Sequence, residues 1–196
     1  FEQRKELGGM LYYGIPNYRL PKDRLAEDIQ NILSTGVETK MNTCIGDGDG
    51  EISFKMLKEN YDAVYISIGA HTDKKLGIPG EDAKGVISAI QMLRDIGDGN
   101  PPDFTGKNVI VVGGGNVAMD ATRSAIRLGA KNVSVMYRRR KADMTALMDE
   151  IEAAIAEGAE ILELHAPQAI ETNKKGYVTA MVADPKIIGL ITGGRP

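Results

Sequence analysis

Residues 108–118 read Asn-Val-Ile-Val-Val-Gly-Gly-Gly-Asn-Val-Ala, an apolar run that ends in three glycines and passes straight into a helix-forming segment. Gly113, Gly115 and Ala118 have the G-x-G-x-x-A spacing of a turn that carries a dinucleotide pyrophosphate. That chemistry needs backbone N–H groups at a helix N-terminus, where the helix dipole favours negative charge. Gly113 permits the tight turn out of the strand. Gly115 removes a side chain that would hold the pyrophosphate away, and Ala118 lets the helix sit close to the strand. Gly114, Asn116 and Val117 complete the loop and are expected to line the same site. FAD and pyridine nucleotides share this fingerprint, so the next strand has to discriminate between them.

That strand is the apolar run 132–137, and it ends in Arg138-Arg139-Arg140. Residues 131–142 contain no Asp or Glu; the first acid is Asp143. A carboxylate at this strand end would accept a ribose 2′-hydroxyl and repel a 2′-phosphate. Arg138 offers a phosphate a bidentate, charge-assisted contact instead, and Arg139 or Arg140 can stack on the adenine. The expected cofactor is NADPH. Which of the three arginines reaches the phosphate stays open, because the register of a strand end is uncertain by a residue or two.

No Ser-His-Asp or Cys-His arrangement and no pair of catalytic carboxylates stands out, so no catalytic side chain is assigned. That suits hydride transfer between two cofactors, in which the protein positions two rings. His71, with no second catalytic residue near it in the sequence, reads as a structural or exposed histidine, and His165, at a strand end, likewise. Asp47-Gly48-Asp49-Gly50-Glu51 lacks the spacing and closing acid of a calcium loop and reads as a solvated turn. The single cysteine, Cys44, excludes a disulfide framework and any multi-cysteine zinc or iron–sulfur site in this chain. It suits a reducing, cytoplasmic setting. A net charge of −3 leaves no dominant basic face for nucleic acid. No run approaches the length of about 18 apolar residues that a membrane helix needs. The chain opens at Phe1, so targeting cannot be judged from this end.

The elements that must position these residues follow from period and punctuation. Residues 107–186 read as strand 108–112, helix 116–128, strand 132–137, helix 146–157 and strand 159–164, then strand-like runs near 167–172 and 177–183. Successive β-α-β units imply parallel strands joined by right-handed crossovers. Val117, Ala121, Ala125 and Leu128 are expected to face the sheet, and Thr145 can cap the second helix. Upstream, 7–20 reads as a loop, Pro21 opens a helix carrying Leu25, Ile29, Ile32 and Leu33 on one face, and 37–41 is a short strand. A short helix at 53–60 and a buried strand at 63–68, ending in Gly69, follow. Residues 76–106, with several Gly and Pro around a helix at 88–96, read as the connection between two units.

With these motifs placed, the chain resembles the small (beta) subunit of NADPH-dependent glutamate synthase, and is similar to the flavin region of dihydropyrimidine dehydrogenase. The resemblance is carried by Gly8-Gly9-Met10-Leu11-Tyr12-Tyr13-Gly14-Ile15-Pro16-Asn17-Tyr18-Arg19-Leu20-Pro21, Ser67-Ile68-Gly69-Ala70, Leu76-Gly77-Ile78-Pro79-Gly80-Glu81-Asp82, Gly113 to Asp120 and Tyr137-Arg138-Arg139. It implies an α/β fold of the glutathione-reductase-like, two-dinucleotide-binding kind: a Rossmann-like three-layer NAD(P)-binding domain inserted in a partial FAD-binding domain. The implied division is 1–75 for the partial FAD domain, 76–106 for the connector, 107–186 for the NADPH domain and 187–196 for the start of the return. The first flavin loop is expected before residue 1. The resemblance further implies that Glu2 holds the FAD ribose, that Gly9, Leu11 and Gly69 line the flavin, and that Arg19 contacts it. The implied activity passes hydride from NADPH to FAD and on to iron–sulfur centres or a large glutamate synthase-type subunit. The competing expectation is an isolated NADPH-binding module without activity of its own; a regulatory domain that keeps the fold without the ligand is a third. One departure is visible: the family often has Met-Pro-Ala where this chain has Met144-Thr145-Ala146.

Overall fold

The computed structural model describes residues 1–48 and 50–188, which form two compact units, Phe1–His71 and the part beginning at Thr72. The second unit is built around a parallel sheet of β1 (Asn108–Val112), β2 (Asn132–Tyr137) and β3 (Glu160–Glu163), in that order. Val112 pairs with Met136 and Tyr137 with Glu163. The C-terminal ends of β1 and β2 therefore lie side by side, which places the residues after them at one edge. Helix α5 (Asn116–Arg127) follows β1, and α6 (Met148–Ala156) follows β2.

Small side chains let α5 sit between the sheet and its neighbouring helices. Ala121 and Ala125 pack with Val133, Phe104 and the buried Met92 and Leu93 of α4 (Ala89–Gly97). On another face Ala118 and Met119 pack with Val135 and with Ile151 and Ala154 of α6. Ser88 caps α4 by accepting the Gln91 N–H at 3.1 Å, as its residue type favours. Val117 departs from the expected sheet-facing stripe. It is 44% exposed, because the buried stripe at helical period is centred on Ala118, Ala121, Thr122 and Ala125, leaving the first-turn residue outside it.

An ion-pair network fastens α5 to α6. Arg123 pairs with Glu150 at 2.7 Å and Glu157 at 2.9 Å, and Arg127 adds a 2.8 Å contact to Glu157. Arg127 first, and then Arg123, hold the Glu157 carboxyl below its usual range against the opposing effect of burial. A carboxylate depressed in the folded state stabilises the fold above its unfolded pKa of about 4.3, and that contribution is lost as pH falls through the folded value. Acid titration of the melting temperature is expected to show this loss, and Glu157→Gln should flatten the acid limb while lowering stability at neutral pH. An unchanged acid limb in the variant would remove Glu157 from this role.

Residues 75–84, near the start of the second unit, are themselves organised. The Glu81 carboxylate accepts the N–H groups of Leu76 and Gly77 at 2.7 and 2.8 Å, and Lys75 pairs with Asp82 at 2.6 Å. Pro79 O accepts the Ile170 N–H at 2.8 Å, while Lys84 exchanges backbone hydrogen bonds with Gly176 and Val178. This segment is thus clasped to the antiparallel pair β4 (His165–Thr172) and β5 (Val178–Pro185). Of the closing stretch 187–196, residues 189–196 lie outside the described residues.

The first unit departs further from expectation. Helix α2 (Lys22–Leu33) follows Pro21, with Leu25 buried and Ile29 half-buried, but Ile32 is 60% exposed. The loop at 7–20 contains one helical turn, α1 (Met10–Tyr13), and Ser53 caps α3 (Phe54–Asn60). Residues 37–41 are not a strand; backbone bonds from Glu2 to Lys40 and from Thr43 to Glu2 hold that stretch against the amino-terminal residues. Residues 63–68 are likewise not a strand and are not buried: Tyr65 is 90% exposed and Ile68 78%. No ladder partner for this run occurs among the described residues, and an apolar pattern alone cannot bury itself.

Candidate functional site

Gly113 leaves β1 with φ +144°, outside the comfortable range of other residues, and its N–H donates to Met136 O at 3.1 Å. A Cβ built on Gly113 would stand 3.3 Å from the Cβ of Ala118. Strand and helix therefore approach as closely as Gly and Ala permit. At Gly115 a Cβ would meet only Thr145 Oγ1, at 3.5 Å, so the space before the turn is open. The N–H groups of Gly115, Asn116 and Val117 have no partner among the described residues, as first-turn donors of a helix commonly do not. An open approach and orphaned donors at the start of a twelve-residue helix fit an anionic pyrophosphate.

A second segment closes on this turn. Gly114 O accepts the N–H groups of Thr145 and Ala146 at 2.8 and 3.0 Å, with Thr145 Oγ1 at 3.4 Å. Asn116 Oδ1 accepts the Leu147 N–H at 2.9 Å, so the Asn116 side chain serves the start of α6 while its own N–H stays available. Thr145 consequently does not cap α6. Its amide and hydroxyl both turn toward Gly114, and the helix begins after Leu147. A proline at position 145 would lack the amide that makes the 2.8 Å bond.

The three arginines separate by environment. Arg140 is committed to Asp143: Nε and Nη2 each donate at 2.8 Å to its two oxygens, closing a 3-10 turn at Lys141–Asp143. The guanidinium holds the Asp143 carboxyl below its usual range, so the first acid after β2 is kept ionised but paired. Arg139 is half-buried, and its carbonyl accepts the Leu164 N–H at 3.1 Å. Arg138 is exposed and makes no hydrogen bond or ion pair among the described residues. It stands two residues beyond Met136, at the edge where Gly113 begins.

The residues implied for flavin lie on separate segments of the first unit. Glu2 accepts the Arg4 N–H at 2.8 Å. Gly9 precedes α1 with φ +52°, and Leu11 is half exposed on that helix, its carbonyl accepting from Lys22 Nζ at 2.7 Å. Burial lowers the Lys22 pKa. Arg19 is half-buried, and its N–H donates to Pro16 O at 3.0 Å; Gly69 ends the exposed run with φ +67°. No group of His, Cys, Asp and Glu among the described residues could hold a metal. No described helix is long and apolar enough to cross a membrane.

The residues that sequence reading missed are Tyr137 and the Arg140–Asp143 pair. The second has a faint signal, an acid three residues after an arginine at a strand end. Tyr137 stands in the motif that carries the resemblance, but nothing in the sequence shows its contact with Gly114, far away along the chain.

The NADP(+)-dependent formate dehydrogenase subunit beta of Moorella thermoacetica is 43% identical over 92% of this chain and 25% of that protein. The glutamate synthase [NADPH] small chain of Escherichia coli is 33% identical over 92% of this chain and 40% of that one. The NADPH-Fe(3+) oxidoreductase subunit beta of Geobacter sulfurreducens is 39% identical over 89% and 26%. The chain therefore spans between a quarter and two fifths of these relatives. Among solved structures, FprA, a Mycobacterium tuberculosis oxidoreductase, matches 98% of this chain with a TM-score of 0.76 at 20% identity, covering 57% of FprA. The fold class is the α/β, two-dinucleotide-binding one of glutathione-reductase-like proteins. The family model for pyridine nucleotide-disulphide oxidoreductases matches residues 5–187, and the chain belongs to that family.

Proposed function

We propose that this chain supplies the NADPH-binding part of a flavin-dependent oxidoreductase that passes hydride from NADPH to FAD, and then electrons to iron–sulfur centres or a partner subunit. The carrying observation is Arg138, exposed beside the glycine turn and without a hydrogen bond or ion pair among the described residues, with the nearest following acid already paired to Arg140. The relatives support the reading by name, as subunits of NADPH- or NADP-dependent enzymes. In it, the first turn of α5 holds the pyrophosphate and Arg138 the 2′-phosphate. Glu2, Gly9, Leu11, Arg19 and Gly69 are proposed for FAD. In this reading the cofactors carry the redox chemistry and the chain supplies position. Among possible parents, a glutamate synthase-type small subunit acting with an iron–sulfur partner or large subunit is the proposed assignment.

The exposure of residues 63–68 favours a second reading of the chain by itself, as a nucleotide-binding module without activity. The two separate in one experiment. A longer protein containing this chain should carry flavin absorbance that NADPH bleaches anaerobically, while the 196-residue chain binds NADPH without stoichiometric FAD. A longer protein that is colourless and ignores NADPH would overturn the first reading. Stoichiometric FAD on the chain alone would overturn the second.

A further inference from the structure

Tyr137, the last residue of β2, touches both halves of the nucleotide site. Its ring lies against Gly114, where a Cβ would stand 2.6 Å from Cε2 and 2.8 Å from Cδ2. Gly114 is not among the glycines with positive φ, so the ring and not the backbone conformation demands glycine there. The Tyr137 hydroxyl donates to Asp143 O at 3.1 Å. Asp143 is clamped to Arg140, and two residues later the chain returns to Gly114 O through the Thr145 N–H. The contacts close a circuit: glycine turn, tyrosine ring, arginine turn, and back to the glycine turn. Arg138 lies inside it, between Tyr137 and the clamped Arg140.

We propose that Tyr137 is a positioning residue for 2′-phosphate selectivity, its ring setting the Gly114 peptide and its hydroxyl holding the arginine turn in register with the phosphate turn. The proposal rests on the reading of Arg138 as the 2′-phosphate ligand. Tyr137→Phe keeps the ring and removes only the bond to Asp143. In the 196-residue chain, fluorescence titration should show NADPH affinity about three- to tenfold weaker, the loss expected for one hydrogen bond, with NADH affinity unchanged. A purely structural role would move the melting temperature and both nucleotides together.

Arg138→Ala, titrated in parallel, reports on the underlying reading. If it shifts the NADPH-to-NADH ratio and Tyr137→Phe does not, the coupling is overturned and the Arg138 reading stands. If Arg138→Ala leaves the ratio unchanged, that reading falls and the proposal with it. The ring contact has its own test. Gly114→Ala should weaken both nucleotides, and adding Tyr137→Leu should recover part of that loss by removing the ring carbons a new Cβ would strike. Equal damage from Gly114→Ala in both backgrounds would overturn the role given to the ring.

Discussion

Replacing Arg138 by alanine is expected to lower the affinity for NADPH by about ten- to a hundredfold and to leave NADH binding within about twofold of the parent chain. The size follows from what is removed. A guanidinium facing a phosphate dianion makes charge-assisted hydrogen bonds, each stronger than a neutral one, and can make two at once. NADH presents a hydroxyl at the same place and loses little. Arg138 starts exposed and has no partner among the described residues, so its loss should leave stability near that of the parent. Arg140→Ala is a different experiment, since it releases the Asp143 carboxylate beside the site. Salt offers an independent check: NADPH affinity of the parent should fall with ionic strength more steeply than that of the Arg138 variant. Equal losses for both nucleotides, or no loss for either, would take Arg138 out of the phosphate site.

The parts of this site that are local in sequence were legible there. Strand β1, the glycine turn and α5 form one continuous stretch in which period, glycine spacing and small residues all agree, and β2 with its arginines follows at the expected distance. The same locality explains what was not legible. Thr145 has the residue type of a helix cap, yet its hydroxyl and amide go to Gly114, thirty-one residues away in sequence. Val117 fits a helical stripe by spacing, but burial depends on which face meets the sheet, and that is decided by the approach of Ala118 to Gly113. Residues 63–68 have the apolar character of a buried strand, but composition states a capacity to be buried and not the partner that does it. Tyr137 was overlooked for a related reason: a tyrosine ending a strand is ordinary until Gly114 is seen beneath its ring.

The largest effect on stability is expected at Gly80. Its φ is +81°, a region that costs another residue about 1–2 kcal/mol, and a Cβ there would drive into the carbonyl of Ile170. A backbone carbonyl cannot step aside as a side-chain end can. Relief would have to come from parting the Ile170 N–H from Pro79 O, the 2.8 Å bond that clasps this segment to β4. Overpacking of this kind adds about 1–3 kcal/mol to the conformational cost. Gly80→Ala should therefore lower the melting temperature by roughly 10 °C, taking about 4 °C for each kcal/mol in a domain of this size. Gly77→Ala is the control: its φ is +72°, but nothing lies within 4 Å of its Cβ, so it bears the conformational cost alone. The difference between the two variants isolates the Ile170 contact, and equal melting temperatures would show that the clasp yields freely. Because the clasp involves β4 and β5 rather than the glycine turn, Gly80→Ala protein that is still folded at low temperature should keep its NADPH affinity. Fold stability and nucleotide binding are thus expected to depend on different glycines of the same unit.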